Sequence, residues 1–222
     1  MLNKDKRSLV LLLALGDGCL HYIKNKSGIY GGITIDHGIE QADYQAWKAK
    51  LLSYVFDKDV KVRTGHNGKS VQVSVCAKRL RAWRKFCYPG NKKNRANILP
   101  FIRHPELAIA VWLMDDGYSE HDKAALRIFT SSSDADTHEV ILKWFKDHFD
   151  VSPSVKFQKV SAKNKTYPYL RFKYDDSIKI WKLVREFVLT FKSMKHKFRH
   201  IERIYQLRFL QPPLRDTKNI SE

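Results

Sequence analysis

Two apolar stretches decide the fold of this chain, and each ends in an Asp-Gly pair. They read Leu12-Leu13-Ala14-Leu15-Gly16-Asp17-Gly18 and Val111-Trp112-Leu113-Met114-Asp115-Asp116-Gly117. The aspartates before the last glycines, Asp17 and Asp116, are 99 residues apart. Both stretches are far too short to span a membrane, so they predict buried helices. Their recurrence indicates an internal repeat.

The segments that follow the two stretches correspond as well. Short candidate strands lie at 31–35 and 126–130, and an amphipathic helix follows in each half, at about 44–55 and 140–149. The second helix has a candidate N-terminal cap at Asp136 or Thr137. The two helices end alike, in Phe56-Asp57 and Phe149-Asp150, which are 93 residues apart.

A β-hairpin and a further helix complete each half. Apolar residues alternate along both hairpins, with a turn at 65–68 in the first and a loop at 162–166 in the second. These residues are Val60, Val62, Val71, Val73 and Val75, and then Val155, Phe157, Leu170, Phe172 and Tyr174. The closing helices contain Trp83 and Trp181, which are 98 residues apart. We therefore predict two copies of an αββαββα unit.

The predicted fold class is α/β, more closely α+β, with two repeats related by a pseudo-twofold axis. Each repeat carries a curved antiparallel sheet, and the two apolar helices pack together at the centre. We place the first repeat at 1–90, a basic linker at 91–97, the second repeat at 98–210 and a C-terminal tail at 211–222.

The composition predicts a folded protein with a polyanionic partner. Lys and Arg number 41 against 23 Asp and Glu, giving a net charge of +18 and a pI near 9.8. With 43% hydrophobic residues the chain can bury a core, which excludes a disordered basic tail. A basic folded surface favours nucleic acid over an anionic membrane.

The polar positions of the hairpins locate part of this charge. They alternate with the apolar residues and are basic or amide-bearing in both halves, which suits a β-ribbon in a DNA groove. With Arg127 from the preceding strand, the candidate DNA-binding residues are Lys61, Arg63, Gln72, Ser74, Lys156, Gln158, Arg171 and Lys173. An ordinary solvated sheet face is the alternative.

Cysteine content and the N-terminus bear on location. Three cysteines without a C-x2-C pair favour neither a disulfide framework nor a zinc ribbon. The basic and then apolar N-terminus imitates a secretory signal, but the same kind of run recurs mid-chain, where such a signal would have no meaning. We expect an intracellular protein, in a bacterium, a phage-infected cell or an organelle, with no membrane and no required protein partner.

The paired aspartates predict a cation site. A carboxylate at a helix C-terminus faces the negative end of the macrodipole, at a cost of about 0.3 to 1 kcal/mol unless a cation offsets it. We expect Gly18 and Gly117 to end their helices in the left-handed conformation. Helices packed on a pseudo-twofold axis would bring Asp17 and Asp116 together, and hard oxygen ligands select Mg²⁺ or a similar ion.

At this point the sequence resembles the single-chain, two-motif LAGLIDADG homing endonucleases, of the intron-encoded type. The second motif, with its Trp-x-Met-Asp-Asp-Gly form, is the better match, whereas the first departs from the pattern at Leu12 and Leu15. The resemblance implies a monomer whose basic sheets form a saddle on DNA. It also implies metal binding by Asp17 and Asp116, with the backbone carbonyls of Gly16 and Asp115 as further ligands.

The resemblance further implies site-specific hydrolysis of both strands of a long duplex target. Mg²⁺ or Mn²⁺ would support the reaction, and Ca²⁺ would bind without supporting cleavage. The family places a basic residue near each scissile phosphate, and Lys93 and Lys197 occupy that place here, 104 residues apart. A solvated surface charge run is the alternative for each lysine.

A second function class uses the same scaffold without cleavage. It is a nucleic-acid-binding protein such as an intron RNA maturase, for which intron RNA would be the partner. Loss of Asp17 or Asp116 would favour this class, and both residues are present. The sequence therefore favours the DNA endonuclease.

Overall fold

The computed structural model describes residues 3–26, 28–121, 124–130, 133–160 and 164–210. Within these residues the helices are α1 Lys4–Leu15, α2 Ala42–Phe56, α3 Leu80–Cys87, α4 Arg95–Ile98, α5 Pro105–Asp116, α6 Ala135–Phe149, α7 Tyr174–Leu189 and α8 Lys195–Phe209. The strands are β1 Cys19–Asn25, β2 Gly28–Gly38, β3 Arg63–Thr64, β4 Ser70–Ala77, β5 Gly117–Ser119, β6 Leu126–Phe129, β7 Ser154–Val160 and β8 Lys165–Arg171. The predicted tail at 211–222 lies outside this range.

The strands form two four-stranded antiparallel sheets with matching topology. The strand order is β1-β2-β4-β3 in the first sheet and β5-β6-β8-β7 in the second. The order αββαββα occurs twice, from α1 to α3 and from α5 to α7, which confirms the predicted fold class. Helix α4 lies between the two units and α8 follows the second. The exact domain boundaries stay a prediction.

Helices α1 and α5 lie side by side at the centre of the molecule. Every residue of α1 from Ser8 to Leu15 is buried, as is every residue of α5 from Ala108 to Asp115. One hydrophobic core includes these helices and the inner faces of both sheets. No helix in the described part of the chain is both long and apolar enough to cross a membrane.

The glycines after the two motif aspartates correct one prediction. Gly117 has a φ of −113° and Gly18 is also outside the left-handed region, so neither ends its helix in that conformation. A Cβ on Gly18 would lie 2.7 Å from the carbonyl carbon of Leu13, and one on Gly117 would lie 2.7 Å from the oxygen of Leu113. Because a side chain at either position would clash with the backbone of the preceding helix, both positions require glycine.

The first hairpin matches its predicted alternation in β4 and departs from it before β3. Val71, Val73 and Val75 are buried, whereas Gln72 is half-buried on the opposite face. Strand β3 contains only two residues, so Val60 to Val62 precede it. The N–H of Val60 donates to Ser53 Oγ at 3.0 Å, so this segment lies against α2 before the chain enters the sheet at Arg63.

In the second half, the structure corrects the predicted burial of two apolar residues and the predicted N-terminal cap of α6. Phe157 lies on the edge strand β7 and is 68% exposed, and Tyr174 begins α7 with 37% of its surface exposed. Neither belongs to a buried strand face. The cap of α6 is Asp134, whose side chain accepts the N–H of Thr137 at 2.8 Å, and not Asp136 or Thr137.

Candidate active site

The C-terminal ends of α1 and α5 meet through Gly16 and Asp115. The Oδ2 of Asp115 accepts the backbone N–H of Asp17 at 2.9 Å. A Cβ on Gly16 would lie 2.8 Å from the Cβ of Asp115 and closer still to Oδ2. Gly16 therefore leaves the space that the Asp115 side chain fills, and the two helix ends fit each other asymmetrically.

A buried network holds the carboxylate of Asp115. Its Oδ1 accepts from Lys48 Nζ at 2.6 Å and from the hydroxyl of Tyr44 at 2.9 Å, and the Lys48 and Asp115 side chains are completely buried. Burial alone would raise the pKa of Asp115, but Lys48 and His37 lower it overall. Burial and the Asp115 charge raise the pKa of Tyr44 well above its ordinary value. The Asp115 side chain is thus committed to protein partners.

The two motif aspartates have incomplete charge compensation. Asp17 keeps 35% of its side chain exposed, with Oδ2 3.6 Å from His37 Nδ1. Burial and the charges of Asp115 and Asp116 raise the pKa of Asp17 to about 7. The Oδ2 of Asp116 accepts from Arg95 at 3.3 Å, yet burial still raises the pKa of Asp116. Carboxylates in this state favour the binding of another cation.

Two lysines contact the backbone carbonyls beside these carboxylates. Lys93 Nζ donates to the carbonyl of Gly16, and Lys197 Nζ donates to those of Met114 at 2.6 Å and Asp115 at 3.1 Å. Burial, together with Arg95, lowers the pKa of Lys93 to about 8. Burial also lowers the pKa of Lys197. Gly16 and Asp115 precede the motif aspartates, so the same contact occurs in both halves.

The residues present fit a divalent cation. Among the described residues, Asp17, His37 and Asp115 form a cluster whose ligand atoms lie within 4.8 Å of one another. Because the Asp115 side chain is already committed, the available oxygen donors are the carboxylates of Asp17 and Asp116 and the carbonyls of Gly16 and Asp115. Lys93 and Lys197 each donate to one of these two carbonyls, and the second lone pair of each oxygen stays available to a cation. Such hard oxygen donors suit Mg²⁺ or Mn²⁺.

The predicted DNA-binding residues differ in their surroundings. Gln72, Arg127 and Arg171 are half-buried and contact acidic side chains, Gln72 to Asp36 and both arginines to Glu120. Lys61 lies outside the sheet with 77% of its side chain exposed, 3.3 Å from Asp59, and Lys173 precedes α7 as its N-cap residue. The remaining residues lie exposed on strands: Arg63, Ser74, Lys156 and Gln158.

Five polar residues that contact the aspartates at the helix ends or the predicted DNA-binding arginines were not predicted from the sequence. They are His37, Tyr44, Lys48, Arg95 and Glu120. One signal was present for Lys48, because it lies four residues after Tyr44 on the apolar face of α2. Arg95 belongs to the basic run at 91–97, which is predicted to be a linker. No local pattern distinguishes His37 or Glu120.

Comparison with known proteins identifies the family. The sequence profile of the LAGLIDADG DNA endonuclease family matches residues 8–180. This chain belongs to that family. Solved structures share the fold, including the homing endonuclease I-WcaI bound to its DNA recognition sequence, at a TM-score of 0.63 and 20% identity over 89% of this chain and 87% of that one. I-DmoI in complex with DNA and Mn gives a TM-score of 0.55 at 21% identity, over 82% and 97% of the two chains.

A curated relative matches only part of this LAGLIDADG chain. It is the protein RecA of Mycobacterium gastri, 28% identical over 117 residues. The match covers 53% of this chain, which spans only about a quarter (27%) of that relative. The maturase alternative receives no support from these comparisons.

Proposed function

We propose that this protein is a site-specific endonuclease that hydrolyses both strands of a long double-stranded DNA target with a divalent metal. One observation carries the proposal: Asp17 lies two residues after α1 and Asp116 is the last residue of α5, and a half-buried lysine contacts the carbonyl that precedes each aspartate. One set of groups for each strand would account for a double-strand cut.

Asp17 and Asp116 would hold the metal with the carbonyls of Gly16 and Asp115. When bound, Mg²⁺ or Mn²⁺ activates a water and stabilises charge on the phosphate. Lys93 and Lys197 lie close enough to affect the pKa of the motif aspartates, so they can stabilise a phosphate and order water there. Asp115, held by Lys48, fixes the backbone of Asp17. We expect Ca²⁺ to bind without supporting cleavage.

The DNA would lie across the open faces of both sheets. On each sheet the face opposite the core carries Arg or Lys together with an amide, which can contact phosphates and base edges. The lines of evidence are the family membership, the net charge of +18 and the place of the aspartates at the junction of the two halves.

Asp17→Asn and Asp116→Asn test the proposal. The substrate is a plasmid library with a randomised insert, from which ends cut on both strands are captured by adapter ligation. With Mg²⁺ the wild-type protein should enrich one target sequence, and each variant should abolish double-strand cleavage while keeping binding to that target within about tenfold, because binding rests mainly on the basic sheets.

Asp147→Asn is the matched control, since it removes an exposed carboxylate on α6 far along the chain from the motifs. It should cut like the wild type. Continued cleavage by the Asp17→Asn/Asp116→Asn double variant with Mg²⁺ would contradict the assignment.

A further inference from the structure

Two arginines and one glutamate form a charged cluster on the face of the second sheet that lies opposite the core. Arg127 on β6 and Arg171 on β8 are direct cross-strand partners. They lie on one face of the sheet, and the buried Leu126, Ile128 and Leu170 lie on the other. Like charges placed directly opposite each other on a sheet destabilise it. Glu120, which is only 7% exposed, follows β5 and lies against both arginines.

One carboxylate holds both guanidinium groups by their inner edges. Arg171 donates from Nε to Glu120 Oε1 at 2.8 Å and from Nη2 to Oε2 at 3.1 Å, and Arg127 Nε donates to the same Oε1. Within the described residues no hydrogen bond engages Nη2 of Arg127 or Nη1 of Arg171. Each guanidinium has five N–H donors and uses two of them in its contacts with the described part of the chain, so three remain for a partner.

Aromatic rings fix the position of Arg127. Its Nη1 donates to the hydroxyl of Tyr118 at 3.1 Å, and its guanidinium lies 4.7 Å from the ring centre of Tyr169. Phe129 stacks on Tyr118 with a centroid separation of 6.1 Å and contacts Tyr169 at 5.9 Å. A guanidinium held in this way suits a directional contact with a base edge, because base contacts and not phosphate contacts carry the sequence information.

We infer that Glu120 is a specificity-determining residue, whose carboxylate holds Arg127 and Arg171 so that they read guanine in the half of the target bound by the second sheet. Arginine recognises guanine by two parallel donors to O6 and N7, and a fixed side chain makes that contact with little loss of entropy. The first sheet has a different pairing, with Asp36 holding the amide of Gln72 at 2.7 Å. The inference rests on the proposed function.

Binding without cleavage tests the inference. Duplexes with a randomised central stretch are selected by the wild-type protein in EDTA, and the consensus duplex is then changed one base pair at a time. The wild type should prefer guanine at one or two positions in one half of the site. Glu120→Gln should reduce discrimination at those positions by about tenfold and leave the other half unchanged.

Glu202→Gln is the matched control. Glu202 holds Arg185 in the same way, at 2.8 and 2.6 Å, but joins α7 and α8 away from the sheet face. It should keep the wild-type base preferences. Arg171→Lys keeps the charge and lacks the paired donors, so it should also lose guanine preference and serves if Glu120→Gln fails to fold.

The outcomes separate this inference from the proposed function. A wild-type protein without base preference at any position would contradict both. A wild-type preference that Glu120→Gln and Arg171→Lys leave unchanged, or an affinity loss spread evenly over all positions, would overturn the role of Glu120 alone.

Discussion

Gly16 and Asp115 occupy corresponding positions in the two motif helices, yet one lacks a side chain and the other fills the space between them. Gly16→Ala should therefore displace the Asp115 carboxylate and lower the free energy of unfolding by about 1 to 3 kcal/mol. Urea denaturation measures the loss. If the clash is the cause, Gly16→Ala and Asp115→Gly should be strongly non-additive in a double-mutant cycle, whereas additive effects would contradict it.

Lys48 is a second single residue on which stability should depend, because its charged side chain is completely buried. Lys48→Met would leave the Asp115 carboxylate buried without its cation, and we expect a loss of about 3 to 5 kcal/mol in unfolding free energy. The double variant Lys48→Met/Asp115→Asn removes both charges and should recover most of that loss. A double variant as unstable as Lys48→Met would show that charge imbalance is not the reason.

At the scale of elements, the start of α6 offers a test with an internal control. Asp134→Ala removes the cap that accepts the Thr137 N–H, so thermal unfolding should occur at a lower temperature than in the wild type. Asp136→Ala, two residues further on, should have little effect. Equal effects of the two substitutions would reject the cap assignment.

The same cap predicts a pH dependence. The hydrogen bonds from Thr137 lower the pKa of Asp134 from its ordinary 3.8, so its contribution to stability is complete above that value and is lost as the pH falls through the lowered pKa. The difference between wild type and Asp134→Ala should thus shrink in acid. A difference that grew at low pH would contradict this sign.

The order of elements was predictable from sequence, whereas their tertiary neighbours were not. Repeat spacing and periodicity gave the αββαββα order, because buried helices and hairpins leave local patterns. Phe157 followed the pattern but lies on an edge strand, where it is 68% exposed. Lys48 and Glu120 acquire their roles from residues distant in the chain, and no local spacing reports such contacts. The motif residues Asp17 and Asp116 stood out only because they recur.

For the whole molecule, the excess of 18 positive charges predicts steeply salt-dependent DNA binding. If about 6 to 10 phosphates are contacted, affinity should fall by about 10³ to 10⁵ between about 50 and 200 mM salt. Lys156→Gln, on the second sheet, should reduce the salt slope by about 1. Lys182→Gln makes the same charge change on α7 and should not alter the slope. Equal salt slopes for the two variants would show that the DNA does not contact Lys156.

The unequal fit of Gly16 with Asp115 makes each half of the chain suited to the other half and unsuited to a copy of itself. A dimer of two identical second halves would bring two buried carboxylates against each other at the axis, where like charges repel. A dimer of two first halves would leave both of those places without a side chain. Neither half would therefore form a symmetric homodimer with this packing unless Gly16 or Asp115 were changed.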